Sequence, residues 1–412
     1  MDVVYRCCCG LDVHKDSVVA CVLWAAADGK HRQEKRKFGT FTRELLELSD
    51  WLGQCGVTHV VMESTGVYWK PVWHVLEAHF ELLLANAQHV KGIPGKKTDR
   101  RDAAWLAELL QHGLLRGSFV PPEPIRGLRD LTRYRVSLAQ ECNRIANRIQ
   151  KVLEDANIKL ASVATDPLGV SGRAMLKAIV QGEQQVETLA EMSRGLLRRK
   201  IPQLQLALEG RVTDHHRFLL KELLDHLEFV EAKMKELEKE IAVRLRPYAD
   251  QVQRLCGVPG IDRVSAWGIL SEIGVDMQQF PDAEHLASWA GLCPGNWESA
   301  GKRQSGRTRK GSAWLRRHLC QSAWGVSTKQ NNYLSALFRR LAARRGVKRA
   351  TIAVAHALLV IAYCILKAPV AYRDLGADYF DKLHPDRLKR KLVKRLEGLG
   401  YEVTLSRNPQ PA

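Results

Sequence analysis

Along the first 120 positions, apolar residues come in short runs broken by polar turns, a spacing that calls for strands as well as helices. Val3 to Leu11 is apolar up to Asp12, and Ser17 to Trp24 is a second run rich in valine. Asp28 and Gly29 offer a turn before His31 to Phe38, so three consecutive strands in a meander are predicted. Thr42 is placed to cap a helix over Arg43 to Gln54. Thr58 to Met62 then reads as a buried strand ending at Glu63, followed by a helix near Val67 to His79 and a strand over Phe80 to Leu84. Lys96 to Arg101 leads into a helix from about Arg100 to His112.

The order three strands, helix, strand, helix, strand, helix is that of a ribonuclease-H-like mixed sheet, which makes the start of the chain α/β. From about Pro124 to Pro247 the pattern becomes helical. Leu220, Leu223, Leu227, Val230, Met234, Leu237 and Ile241 alternate steps of three and four, a heptad seam. Glu222, Lys233, Glu236 and Lys239 flank it and belong in water. A weaker seam runs through Leu138, Cys142, Ile145, Ile149, Val152 and Ala156. Two such stripes mean an antiparallel helical pair or ordinary bundle packing, or else an oligomerising coiled coil. Near Gln251 a third region begins, and Cys256 to Ile261, with Gly257 and Gly260, looks like the turn of a helix-hairpin-helix, which would offer backbone N–H groups to a phosphate. The divisions that follow are 1–123, 124–250, 251–348 and 349–412, the last an apolar helix with a basic tail containing Lys389, Arg390, Lys391 and Lys394.

Composition narrows the function. Hydrophobic residues make up 45% of the 412, enough for real cores, and Lys plus Arg at 63 against Asp plus Glu at 45 leaves a net charge of +18. That charge favours a polyanionic partner, nucleic acid ahead of a membrane surface. The ten cysteines include the run Cys7, Cys8, Cys9 but no Cys-x-x-Cys pair, which argues against a disulfide scaffold or a zinc ribbon. No secretory signal precedes Asp12, and the greasy stretch Ala350 to Leu366, which contains His356, reads as a buried helix. A cytosolic protein with reduced thiols is expected.

Asp12 and Glu63 each follow an apolar strand, where a side chain emerges at the end of a sheet. Asp99 and Asp102, three apart at a helix start, project from one face. Placed this way, four carboxylates can converge on two divalent cations. Cutting a phosphodiester requires neutralising the phosphate, activating the attacking oxygen and stabilising the leaving one, which two metals accomplish together. Hard Mg²⁺ suits carboxylate oxygen rather than Cys or His. Each acid singly also fits a strand-end or helix-start cap.

Gly291 to Arg317 carries Lys302, Arg303, Arg307, Arg309, Lys310, Arg316 and Arg317, with no acid after Lys302. Its glycines predict a flexible cationic loop rather than a helix. A serine hydroxyl needs a base or a strong positive field to act as a nucleophile, and Ser299 sits in such a field. Ser299, Ser305 and Thr308 would equally serve as simple hydrogen-bond donors to a phosphate backbone, and Ser305 rivals Ser299 on spacing. Gly92 to Thr98 lacks the glycine spacing of a phosphate-binding loop. The pairs around His215, His216 and His226 read as surface, and Trp69 and Trp73, with Tyr68, as core more than as base-stacking platforms.

Four segments carry a resemblance. GLDVHK at Gly10 to Lys15, MESTGVYW at Met62 to Trp69, KTDRRDA at Lys97 to Ala103, and WAGLCPGNWESAGKRQSGRTRKG at Trp289 to Gly311 resemble the DEDD transposases of bacterial insertion sequences, the IS one-ten group and most of all its IS eleven-eleven branch. The likeness runs from about residue 5 to residue 367. It implies a RuvC-like nuclease domain, a coiled-coil connection and a transposase domain with a nucleophilic serine. By motif match, Asp12, Glu63, Asp99 and Asp102 become the metal-binding tetrad, and Ser299, just before Ala-Gly-Lys, becomes the nucleophile. The resemblance also implies a structured bridge RNA that pairs with donor and target DNA, a covalent phosphoserine intermediate, and a composite active site across a tetramer. A junction nuclease that uses water, and a nucleic-acid-binding scaffold without catalysis, are the alternatives.

Overall fold

The computed structural model describes residues 3–25, 31–64, 66–86, 90, 102–295, 297–299, 302–305, 307–308, 310–383 and 385–406. Asp99 and Arg309 lie outside the described residues, as does the segment around Gly92 to Thr98. The chain forms two compact units, residues 1–120 and 121–412.

The first unit is a five-stranded mixed sheet in the order β3-β2-β1-β4-β5. Its strands are β1 (Cys7–Val13), β2 (Val18–Ala25), β3 (His31–Phe38), β4 (His59–Glu63) and β5 (Glu81–Ala85). β1 pairs antiparallel with β2 and parallel with β4, and β4 pairs parallel with β5. Among the described residues it also carries the helices α1 (Thr42–Gln54), α2 (Trp69–Leu76) and α3 (Asp102–Gln111). The predicted order of elements is therefore present. Thr42, however, lies within the first turn of α1 and does not cap it; the carboxylate of Glu44 accepts the Phe41 N–H at 3.2 Å instead. One sheet face buries Leu11, Val60 and Met62 with Leu48, Leu52 and Trp73, and Trp69 meets Trp73 edge-on at 5.7 Å. Both tryptophans are core side chains, whereas Tyr68 is exposed. The other face buries Cys8, Val61, Leu106 and Leu110 under α3.

Among its described residues the second unit is helical apart from one hairpin. Its framework is α4 (Glu123–Asp155), the short helices α5 (Leu160–Val163), α6 (Val170–Val180), α7 (Val186–Glu191) and α8 (Ile201–Leu208), and the long α9 (Asp214–Arg244). The two predicted seams face each other: Leu138, Ile145 and Ile149 of α4 share one core with Leu220, Leu227 and Val230 of α9. Cross-links fix the pair as antiparallel, with Arg135 on Glu238, Glu141 on His226 and Asp155 on His216. His216 is not a surface residue as expected. Its Nδ1 accepts the Thr213 N–H at the start of α9 and its Nε2 reaches Asp155 at 2.8 Å, so a capping position draws the ring inward.

The remainder comprises α10 (Ala249–Cys256), α11 (Arg263–Ile273), α12 (Ala283–Trp289), the hairpin β6 (Trp297–Ser299) and β7 (Lys302–Ser305), α13 (Ala313–Ser327), α14 (Tyr333–Arg345), α15 (Val347–Lys367), α16 (Tyr379–Leu383) and α17 (Pro385–Glu397). The apolar α15 buries Ala350, Val354, Leu358, Leu359 and Ala362, and packs against α10, α12, α13 and α14. It is a core helix of this unit. Length and composition alone would let it cross a membrane. The basic tail is an exposed helix, α17.

Candidate functional site

The carboxylate site follows from strand register. Side chains alternate along β1: Cys9, Leu11 and Val13 enter the core of one face, and Cys8 enters the core beneath α3, the side on which Gly10 meets that helix. Asp12 is on this second side. On β4, Val60 and Met62 point to the first face and Val61 to the second, so Glu63 also falls on the α3 side. Leu11 pairs with Met62, which makes Asp12 and Glu63 neighbours on adjacent parallel strands, at their C-terminal ends.

Asp102 reaches the same end by the direction of α3. The amides of Val4 and Tyr5 bond the Gln111 carbonyl at 2.9 and 3.2 Å, so the last turn of α3 lies at the start of β1. Further along, the helix backbone presses on Gly10, where a Cβ would stand 2.1 Å from the Ala103 carbonyl and 2.5 Å from the Ala107 nitrogen. The glycine is what allows this approach. α3 thus runs antiparallel to β1 and begins, at Asp102, where β1 delivers Asp12.

His14 Nε2 stands 3.1 Å from the Asp12 carboxylate. It lies one residue past β1, two positions on from Asp12 in the GLDVHK segment. Among the described residues no three His, Cys, Asp or Glu side chains stand close enough to hold a metal ion. The acids that register brings to one end, all hard oxygen donors, are nonetheless of the kind a divalent cation such as Mg²⁺ takes. The cysteines of β1 offer no competing nucleophile. Burial pushes the Cys7 thiol up to about 11 and the Cys8 thiol up to about 12, and holds the Cys9 thiol well above its ordinary value. All ten cysteines are free.

The serine segment is more ordered than a flexible loop. β6 and β7 pair antiparallel, Ser299 opposite Lys302, Glu298 opposite Arg303 and Trp297 opposite Ser305. Backbone pairing extends the ladder through Pro294 and Thr308, and the Gly295 N–H bonds the Arg307 carbonyl at 2.8 Å. Short extended stretches flanked by glycines form a hairpin here because each supplies the ladder of the other. Ser299 closes the inner end of β6 and Ser305 stands at the outer end of β7, so the two serines that spacing could not separate occupy opposite ends. Arg307 and Lys310 are exposed beside the hairpin. Arg316 and Arg317 are half-buried on α13, not on the loop, because Ser312 starts that helix by accepting the Leu315 N–H at 3.2 Å.

In the predicted helix-hairpin-helix turn, Gly257 donates its N–H to the carbonyls of Gln253 and Arg254. Gly260 has φ +89 and packs on α13, where a Cβ would stand 2.4 Å from Val326 Cγ2. Asp262 caps α11 through the Ser265 N–H at 2.7 Å.

Comparisons with known proteins relate the chain to transposases. Residues 9–158 match the DEDD transposase model of IS110 type, described as a transposase, and residues 252–339 match the model of the transposase IS116/IS110/IS902 family. A "Probable family 20 transposase" of Pseudomonas aeruginosa is 26% identical over 334 residues, covering 79% of this chain and 89% of that protein. A "Transposase for insertion sequence element IS1111A" of Coxiella burnetii is 25% identical over 327 residues, covering 76% of this chain and 79% of that protein. The first model spans Asp12, Glu63, Asp99 and Asp102, and the second spans Ser299 and its basic neighbours.

Proposed function

From the membership of this chain in the IS110 family of insertion-sequence transposases, we propose that it is a site-specific DNA recombinase that uses Asp12, Glu63, Asp99 and Asp102 together with the nucleophile Ser299. The observation that carries the reading is the convergence, through register and helix direction, of Asp12, Glu63 and Asp102 at one end and one face of a RuvC-like sheet. Mg²⁺, two ions in this reading, supplies phosphate polarisation and charge neutralisation when bound.

The chain's own groups then account for the rest. The four carboxylates hold the cation site, and His14, beside Asp12, orients that carboxylate. Ser299 Oγ attacks the scissile phosphorus; a seryl O–P bond forms, the P–O3′ bond breaks, and the departing 3′ oxygen takes up a proton as the seryl oxygen loses one. The freed 3′-hydroxyl of one duplex attacks the phosphoserine of the other, which restores the serine. Lys302, Arg303, Arg307, Arg309 and Lys310 hold the backbone and offset developing charge, with Arg316 and Arg317 contributing from α13. Steep salt sensitivity of DNA binding follows from that many cations. The partners are donor and target duplex DNA, a bridge RNA encoded beside the gene, and further copies of the chain, in the bacterial cytoplasm.

One assay tests the proposal. Full-length protein, RNA transcribed from the non-coding flank of the element and labelled duplex are incubated with Mg²⁺, then denatured. A protein-linked strand is expected, lost on the order of 1,000-fold or more in Ser299→Ala and in Asp12→Asn. Cleavage without a linked strand would identify a nuclease that uses water, and neither product a binding scaffold.

A further inference from the structure

Glu272, on α11, is 1% exposed, and a carboxylate so far from water persists only where partners replace its hydration. Arg133 of α4 provides two of them, Nε to Oε1 at 2.7 Å and Nη2 to Oε2 at 2.9 Å. Arg129 donates to the Glu272 carbonyl at 2.6 Å and to the Ser271 carbonyl at 3.2 Å. These contacts join α4 to α11 and would do so alone. The Ser312 hydroxyl adds another, donating to Glu272 Oε2 at 3.1 Å while accepting the Leu315 N–H.

That bond ties the buried cluster to the root of the hairpin. Gly311, one residue earlier, lies against the backbone of Trp289 to Gly291, where a Cβ would stand 2.3 Å from the Gly291 nitrogen. Trp314, two residues later, lies under the Arg133 guanidinium at 5.6 Å. The hairpin is the segment between Gly291 and Gly311, so its exit strand is fixed where α13 begins.

The structure assigns Glu272, acting through Ser312, the role of positioning residue for the hairpin that carries Ser299. The inference rests on the reading of Ser299 as the nucleophile, because a displacement of about 1 Å at a reacting group is enough to cost on the order of 100-fold in rate. If the cluster served only to join α4 to α11, cutting the Ser312 link would leave the hairpin unchanged.

Two measurements on full-length protein test it, with Ser312→Ala, Ser312→Thr and Glu272→Gln. In hydrogen exchange of the free protein, Ser312→Ala is expected to speed exchange at least ten-fold across residues 292–310 while α4 and α9 stay at wild-type rates, and Ser312→Thr to restore protection. Glu272→Gln is expected to loosen both the hairpin and the α4–α11 contact. In single-turnover adduct formation on the labelled duplex, Ser312→Ala is expected to slow the rate at least ten-fold, with the half-saturating DNA concentration within two-fold of wild type. Wild-type exchange across 292–310 in Ser312→Ala, or exchange raised equally throughout the helices, overturns the assignment. So does an unchanged rate in Ser312→Ala alongside a wild-type adduct, which would leave the nucleophile reading intact. A loosened hairpin in a protein whose wild type forms no Ser299-dependent adduct would instead remove the nucleophile reading and keep the anchor.

Discussion

In the first unit, Asp12 and Glu63 owe their places to main-chain hydrogen bonds of neighbouring strands, whereas in the second unit the strand carrying Ser299 belongs to a small hairpin held at its root by side chains. A sheet register cannot drift by one residue without turning every apolar side chain of a strand to the wrong face. A hairpin of a few pairs has no such protection. The acids proposed to hold metal therefore sit on the part of the fold that tolerates least movement, and the proposed nucleophile on a part whose position depends on a few buried polar contacts.

The contrast can be broken most strongly from the hairpin side. Arg133→Ala leaves Glu272 buried with its bidentate partner gone, and a loss of about 3 kcal/mol is expected in urea unfolding of the second unit, with the first unit unaffected. A two-probe melt that shows both units weakened equally would contradict this. On the sheet side, Gly10→Ala forces α3 away from β1 and is expected to cost about 2 kcal/mol while lowering DNA cutting more than DNA binding. Unchanged cutting would show that Asp102 need not stand beside Asp12.

A smaller effect separates the units by pH. Burial holds the His318 imidazole of α13 below its ordinary value of 6.5, reinforced by Arg317 and Arg135 and opposed by Glu272 and Asp262. The unfolded chain then binds a proton that the folded chain refuses. Stability from this group is fully present above pH 6.5 and is lost as pH falls from there through the depressed folded value. Thermal melts should show the second unit weakening over that range, and His318→Gln should flatten the slope. The smallest effect on folding belongs to Arg307→Gln with Lys310→Gln, both exposed, which should shift stability by less than about 0.5 kcal/mol. The same pair should reduce the salt slope of DNA binding by about 2.

Strand and helix order in the first unit was legible because apolar runs, turns and the acids after them repeat a simple grammar, and the motifs around Asp12 and Glu63 stood out for that reason. The seams of α4 and α9 were equally visible, yet a stripe does not say whether its partner is the same chain; the pairing of Arg135 with Glu238 and Asp155 with His216 does. The hairpin was hidden because its glycines and arginines suggest a loop, while its strands, Trp297–Ser299 and Lys302–Ser305, are too short to show an alternating pattern. Glu272 was only half visible. It is the lone charge in the run from Val264 to Val275, a sign of burial, but its partners lie about 140 residues earlier and 40 later and nothing local names them.

The pinch at Gly291 and Gly311 has one more outcome. Because backbone meets backbone there, the stretch between them is a closed handle whose two feet stay together whatever its span. Lengthening such a handle adds only the slowly growing entropy of a larger ring, about 0.6 kcal/mol per doubling. Descendants of this gene are thus free to graft longer or differently charged arches onto unaltered footings.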